Sequence, residues 1–427
     1  MTRKSTTYKP LRVAIVHRVQ PGEKPNLDEL RELCLTAGYE VVYELIQRRY
    51  PHPKYNIGPG KLAELKDAVK KLNIEKVIFE NDIKTVQEYN LAKALGIPVM
   101  SRVQLILEIF SLHASSKEAK LQIKLAELKY ELSRAREKVR LAKMGEQPGF
   151  HGLGAYEADV YYNEINRRIH TLTKKLASIK KRRDLFRLRR EKYGIPTISL
   201  VGYTNAGKST LFNALASESV PVDNRLFTTL STTIRLVKIR GRRAFLSDTV
   251  GFIKNLPSML IDAFHSTLSE ILFSDLILLV ADFSEPVDVV KEKLVYSLET
   301  LGSIGAHSIP TLIVLNKIDL VSDAERKVEK LGLTLPYVMI SALYRTNLDL
   351  LEQAIASMMG DYVVATAKID GSDESSAKVL SEICKKSNIL ELKYEDGFIN
   401  LKVETPNYLA EKLKRLSLVK SFRVEGS

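Results

Sequence analysis

The sequence predicts an α/β protein: a P-loop domain preceded by a small parallel α/β domain with a helical hairpin, and followed by a small ferredoxin-like α+β domain. Three observations carry that expectation. Short apolar runs alternate with helical runs over residues 10–105 and again over 195–360, the rhythm of parallel strands joined by crossover helices. Two heptad seams lie between those stretches, as in a pair of packed helices. The tail from residue 361 orders its elements strand, helix, strand, strand, helix, strand, the split arrangement of a ferredoxin-like sheet. The expected boundaries are therefore 1–116, 117–193, 194–360 and 361–427.

Composition narrows the class. Lys and Arg number 65 against 51 Asp and Glu, a net charge of +14, which favours a polyanionic partner without separating RNA from an acidic membrane surface. The two cysteines, Cys34 and Cys384, are too far apart in sequence to form a recognisable metal or redox motif, as expected in a reducing compartment. The opening "MTRKSTTYKP" leads into a short apolar run ended by His17 and Arg18, which does not read as a signal peptide. The apolar stretch around "LILLVADF" is far too short to span a bilayer. A cytoplasmic protein with no membrane contact is expected.

Within residues 10–105, "LRVAIVHRV", "YEVVYELIQ", "EKVIFEND" and "GIPVMSRVQ" read as strands. "LDELRELCLTAG", "KLAELKDAVKKLN" and "KTVQEYNLAKALG" read as the helices between them, the first closed by Gly38. "NIGPGK", residues 56–61, sets two glycines and a lysine before a helix. Bare backbone N–H groups there could hold an anion, although a tight turn feeding a helix explains the same residues.

The first seam comprises Leu121, Leu125, Leu128, Leu132, Ala135 and Val139; the second comprises Ile165, Ile169, Leu172, Leu176 and Ile179, with Phe186 back in register. An antiparallel hairpin follows, with a tip, "MGEQPGFHGLGAY", rich in glycine. From Arg167 to Lys192 there are twelve Lys or Arg and two acidic residues. Such a run is usually a solvated helix face, but a balance this lopsided beside a bare tip favours RNA. The contact candidates are Lys180, Lys181, Arg182 and Arg183 on the helix, and Gly149, Gly152 and Gly154 at the tip.

The chemistry concentrates in residues 195–360. "ISLVGYTNAGKSTLFNAL" sets Gly202 and Gly207-Lys208-Ser209 in the G-x-x-x-x-G-K-[ST] pattern between a strand and a helix. Tyr203, Thr204, Asn205 and Ala206 complete the loop, and its N–H groups close around phosphate together with Thr210 at the helix start. Lys208 would reach the β- and γ-phosphates and Ser209 would bind Mg²⁺. "DTVG" follows the apolar "AFLS". Asp248 would stand behind the magnesium, and Gly251 would offer its N–H to the γ-phosphate, with Thr249 and Val250 between them. "TLIVLNKID" supplies Asn316, Lys317 and Asp319. A buried Asp319 carboxylate accepts from the ring N–H and amine of guanine and would be left unpaired against adenine. "ISAL" adds Ser341, Ala342 and Leu343, suited to a backbone contact with the guanine oxygen. GTP and GDP, not ATP, are the expected ligands. The switch segment "NRLFTTLSTTIR" must supply a hydroxyl to the metal; Thr228, Thr229, Thr232 and Thr233 all qualify, although the later pair suits a plain strand.

Taken together these segments resemble the HflX family of ribosome-associated GTPases over nearly the whole chain. The P-loop, "DTVGFIKNLPSMLIDAFHSTLSEILFSDLILLVAD", "NIGPGK" and "LQIKLAELKYELSRARE" carry the likeness. It implies that the metal-binding threonine is Thr229, in "FTTLS", with Phe227, Thr228, Leu230 and Ser231 around the nucleotide. It also implies that the N-terminal domain and hairpin approach the large ribosomal subunit, with the tip near ribosomal RNA. Ribosome splitting, rescue or assembly would be the role, performed by a monomer. This chain has Ser231-Thr232-Thr233 where many members carry Asp-Pro-Thr or Asp-Thr-Thr, and its tip lacks their Gly-Pro-Gly-Glu.

Phe252 stands where many GTPases place a water-holding glutamine, an apolar choice normal for the family. No catalytic side chain is assigned beyond Lys208 and Thr229 as supports of the transition state, so hydrolysis by the protein alone should be slow and help should come from the ribosome. A potassium ion beside Asn205 is a second source of help. A membrane-linked regulatory GTPase and an RNA-modification partner are the alternative classes; neither a lipidation motif nor a methyl-donor site supports them. Asp319→Asn should weaken GTP binding and gain affinity for xanthine nucleotides, because an amide donates where xanthine has its extra carbonyl. A nucleotide competition assay checks this, and an unchanged preference for guanine would remove Asp319 from the base site.

Overall fold

The computed structural model describes residues 10–23, 25–114, 116–143, 155–193, 195–216, 233–249, 251–252, 271–360, 362–372 and 375–425. The chain forms two compact units that divide between Lys180 and Lys181.

In the first unit, β1 (Leu11–Val19) carries Val13, Ala14, Ile15 and Val16 fully buried in succession, the signature of a strand covered on both faces. It pairs in parallel with β2 (Tyr39–Arg48) and β3 (Lys76–Phe79), and β3 pairs with β4 (Val99–Ser101), in the order β2-β1-β3-β4. The helices are α1 (Asp28–Thr36), α2 (Pro59–Lys71), α3 (Thr85–Leu95) and α4 (Arg102–His113). Leu65, Val69 and Leu91 of α2 and α3 join Val16, Val77 and Phe79 in one apolar core. Cys34 is buried, and burial pushes its thiol up to about 12, so it stays protonated and inert; both cysteines are free.

Two expectations change here. "GIPVMSRVQ" is a strand only as far as Ser101, whose N–H donates to Gln104 Oε1 at 2.7 Å; this closes a helix N-terminus and turns the remainder into α4. In "NIGPGK" the Gly58 N–H donates to Gln47 Oε1 at 2.8 Å, and the Arg49 guanidinium lies so near that a Cβ on Gly58 would stand 2.0 Å from Nη1. Pro59 has no N–H to offer. The segment is a tight turn feeding α2, held by its own neighbours.

The hairpin helices are α5 (Lys117–Lys143) and α6 (Ala155–Tyr193). Leu128, Leu132 and Ala135 pack with Tyr161, Tyr162, Ile165, Ile169 and Leu172, and the Tyr161 hydroxyl donates to Glu131. Toward its base α5 also buries Ala119, Ile123 and Ala126, because it lies there against α3 and α4 as well. The seam is therefore wider than a heptad. The side chains of Val139 and Phe186, like Gly149, Gly152 and Gly154, lie outside the described residues. So do the side chains of Lys180, Arg182 and Arg183, while Lys181 is exposed.

In the second unit six strands form a sheet: β5 (Thr197–Gly202), β6 (Thr233–Ile239), β7 (Arg242–Asp248), β8 (Leu276–Asp282), β9 (Thr311–Asn316) and β10 (Tyr337–Met339), in the order β10-β9-β8-β5-β7-β6. All pairs are parallel except β6 with β7. The edge strand β6 leaves Arg235, Lys238 and Arg240 exposed at and beside its end. Helices α7 (Lys208–Ala216), α8 (Val287–Ser303), α9 (Ala324–Leu331) and α10 (Leu348–Met358) flank the sheet, and Leu211, Leu351 and Ile355 pack on Leu200, Leu278 and Val314.

The tail folds as β11 (Tyr362–Asp370), α11 (Ser376–Lys386), β12 (Asn388–Glu395), β13 (Phe398–Pro406), α12 (Asn407–Lys414) and β14 (Val419–Val424). Its antiparallel order, β12-β13-β11-β14, is the ferredoxin-like pattern expected. Among the described residues no helix is long and apolar enough to cross a membrane.

Arg102, 5% exposed, lies 3.1 Å from Glu29 and 3.5 Å from Glu80. Truncating a buried cation strands its partners at a cost of about 3 kcal/mol, whereas an apolar side chain of similar volume costs far less than a cavity does. Arg102→Ala should accordingly speed hydrogen exchange of β1 and β3 more than Arg102→Met. Equal exchange in the two variants would show that the lost charge, not the volume, matters at this position.

Candidate functional site

The parallel strands β5, β7, β8 and β9 end on one side of the sheet, where ligands of open α/β folds bind. The P-loop leaves β5 at Gly202, whose φ of +146° and approach to β8 admit no side chain: a Cβ would stand 2.1 Å from the Val280 carbonyl oxygen. At Gly207, with φ +88°, a Cβ would stand 2.2 Å from Asn316 Nδ2. Asn205 between them is exposed, with φ +62°, and Tyr203, Thr204 and Ala206 are buried. Ser209 and Thr210 begin α7, partly exposed.

Lys208 is only 7% exposed, and its ammonium donates to the Gly202 and Tyr203 carbonyls at 3.1 and 2.7 Å. Burial lowers its pKa to about 8, with the Asp248 carboxylate pulling the other way. A phosphate group beside it would supply the counter-charge that carbonyl dipoles only partly provide. Ser209 Oγ donates to Asp248 Oδ2 at 3.1 Å. A hydroxyl and a carboxylate next to a phosphate cradle form the hard oxygen set that suits Mg²⁺, which takes few protein ligands and keeps water and phosphate as the others. The residues present therefore fit that ion.

The D-x-x-G segment is sewn to the P-loop. Thr249 Oγ1 donates to the Leu200 carbonyl at 2.6 Å, Phe252 N–H donates to Gly202 at 3.0 Å, and Thr204 N–H donates to Phe252 at 2.9 Å. A Cβ on Gly251 would lie 2.9 Å from Lys208 Nζ, so glycine keeps this cradle open. The Phe252 ring is 1% exposed. It belongs to the interior.

On the base side, Asn316 Nδ2 donates to the Ala206 carbonyl at 2.8 Å and its Oδ1 accepts from Ala342 N–H at 2.9 Å. A guanine oxygen at Ala342 must share that N–H with Asn316. Ser341 is fully buried, and its Oγ accepts from Tyr344 N–H at 3.3 Å. Asp319 is exposed rather than buried; its desolvation must come from the base itself, as must the covering of Leu343, 68% exposed. Lys317 adopts φ +69° and reaches Asp282 Oδ2 at 2.5 Å. Asp282, at the end of β8, is a site residue the motifs did not disclose; its signal is the carboxylate closing the buried run "LILLVAD".

Thr233 opens β6 opposite Asp248, the strand reading rather than a metal-binding one. Phe227, Thr228, Thr229, Leu230, Ser231, Thr232 and Val250 lie outside the described residues.

The chain matches known proteins over most of its length. Residues 24–111 match the family model described as GTP-binding GTPase N-terminal, 113–190 the GTP-binding GTPase Middle Region, and 197–317 the 50S ribosome-binding GTPase. The protein named GTPase HflX from Thermococcus kodakarensis is 46% identical over 320 residues, 74% of this chain and 72% of its own. The protein of the same name from Thermofilum pendens is 42% identical over 410 residues, 94% of this chain and 96% of its own. A crystal structure described as the complex of SsGBP and GDP is 32% identical, covering 82% of this chain and 98% of that one, with a TM-score of 0.49.

Asn316→Ala would leave the Ala206 carbonyl and the Ala342 N–H without their buried partner. Two such losses amount to about 3 kcal/mol, on the order of a hundredfold in nucleotide affinity. Equilibrium titration with a fluorescent GDP checks this; a loss below about fivefold would mean that the loops hold their places without the amide.

Proposed function

Because the chain belongs to the HflX family of GTPases, which hydrolyse GTP to GDP and phosphate, we propose that it associates with the large ribosomal subunit. GTP binding and hydrolysis would switch its hold there, in the splitting or rescue of ribosomes, protein synthesis or ribosome assembly. The observation that carries the reading is the match of residues 197–317 to the family model described as 50S ribosome-binding GTPase. The twelve basic residues between Arg167 and Lys192 supply the charge for an RNA contact.

At the nucleotide, Lys208 exchanges its hold on the Gly202 and Tyr203 carbonyls for phosphate oxygens and stabilises the charge that develops on them. The Gly251 N–H meets the γ-phosphate, steadied by the bonds that Phe252 makes with the P-loop. Ser209 and Thr229, backed by Asp248, would hold magnesium, which would supply positive charge to offset that of the phosphates. Asp319 selects guanine. The buried Phe252 ring cannot hold water, so intrinsic turnover is slow, at or below about 10⁻⁴ to 10⁻² per second. The ribosome provides the missing polar group, and a potassium ion at the exposed Asn205 is a secondary source of charge.

Co-sedimentation across a salt series tests the ribosomal reading, with liposomes and bulk tRNA as competitors. The parent should pellet with large subunits. Replacing Lys180, Lys181, Arg182 and Arg183 with Glu should weaken that binding and flatten its salt dependence, since fewer counterions are released, while GTP affinity stays near that of the parent. Single-turnover hydrolysis should accelerate with large subunits in both potassium and sodium. Preferential pelleting with liposomes, or fast hydrolysis by the free protein in sodium, would refute the reading.

A further inference from the structure

The β6–β7 ribbon connects the magnesium side of the nucleotide site to the C-terminal domain. At one end Thr233 pairs with Asp248, whose carboxylate takes the Ser209 hydroxyl. The ladder then runs without a register shift to Ile239 opposite Arg242, about 20 Å at the usual rise per residue. It turns at Arg240 and Gly241, both at positive φ (48° and 86°), as a two-residue hairpin whose twist matches its strands.

The C-terminal domain closes on that turn. Arg242 donates from Nε and Nη2 to Oε1 of Glu404 on β13, at 3.1 and 2.7 Å. Its Nη1 donates to the Ala356 carbonyl near the end of α10, and its guanidinium lies 4.3 Å from the centre of the Tyr362 ring. Glu404 Oε2 accepts from Asn388 Nδ2 at 3.3 Å. Asn388 in turn presses on the turn so closely that a Cβ on Gly241 would stand 2.2 Å from Nδ2. The Arg242 and Glu404 side chains are only 15% and 19% exposed, so salt screens the pair little. One residue thus grips α10, the start of β11 and β13 together.

A γ-phosphate, present in GTP and absent from GDP, would act on the far end of this ribbon. The Gly251 N–H that would meet it lies three residues beyond Asp248, where β7 ends, and is tied to the P-loop through the bonds of Phe252. A fully hydrogen-bonded ribbon passes such a shift along its length as a tilt, because its two strands cannot slide past each other without breaking the ladder. We propose that the C-terminal domain senses the nucleotide through the β6–β7 ribbon, and that its grip on Arg242 sets the relative affinity for GTP and GDP. Reciprocity is required: if the nucleotide shifts the docking of the domain, the docking shifts the nucleotide preference by the same factor. The coupling requires the nucleotide site and is independent of the ribosomal role.

Two measurements on the full chain test it. In the parent, hydrogen exchange over Asn388–Glu395 and Phe398–Pro406 should differ by at least about fivefold between the magnesium complexes of GDP and of a non-hydrolysable GTP analogue. In Arg242→Gln, Glu404→Gln and Gly241→Ala, the ratio of affinities for those two nucleotides should move by a similar factor, and the exchange difference should collapse. The ratio is decisive because a purely structural clamp would change both affinities together. Identical exchange in the two parental complexes overturns the coupling whether or not the variants fold. A ratio within about twofold of the parent's in folded variants overturns it as well.

Discussion

The carboxamide of Asn316 is the point on which the nucleotide site is hung. It donates to the P-loop at Ala206 and accepts from Ala342, so three strand ends share one side chain that no water reaches. Each bond contributes about 1 kcal/mol net, yet leaving either partner bare costs more than that. Its neighbours arrange themselves around it. Gly207 can bear no Cβ against its Nδ2, the Asn316 carbonyl takes the Phe283 N–H at 2.8 Å, and Lys317 adopts a left-handed backbone to reach Asp282. The loops that read phosphate and base therefore cannot move independently.

The position after D-x-x-G shows how a backbone can specify a site while its side chain serves the interior. Phe252 exchanges two main-chain bonds with Gly202 and Thr204, in the manner of a short parallel strand laid beside the P-loop. Its ring fills buried space. In a protein built this way the attacking water must be ordered by groups beyond this residue, and regulation of hydrolysis is then a matter of who delivers them.

Much of this was legible in the chain, for reasons that differ from place to place. The glycines of the P-loop are dictated by steric closeness that no other residue satisfies, and the buried runs of β5 and β8 announce parallel strands covered on both faces. The tail's element order was sufficient for its sheet because strands of that length and spacing have few ways to close. Less was legible where partners are remote or local chemistry overrides pattern. Nothing near Arg242 foretells a partner 162 residues away at Glu404. Asp282 carries no motif, and Ser101 ended a strand because Gln104 satisfies its N–H, a bond that alternation of apolar residues does not register. "NIGPGK" looked open to an anion, but Gln47, from the preceding strand, already takes the Gly58 N–H.

The six-stranded sheet ends differently on its two sides. β10 is three residues long, too short to template a further strand, whereas β6 is seven residues long and, among the described residues, pairs only with β7. There the exposed cations Arg235, Lys238 and Arg240 take over. A second copy pairing along that edge would bring like charges within a few ångströms, which strand edges in soluble proteins exploit to stay separate. Two copies of this chain are thus discouraged from joining their sheets edge to edge, while an anionic partner meets no such barrier there.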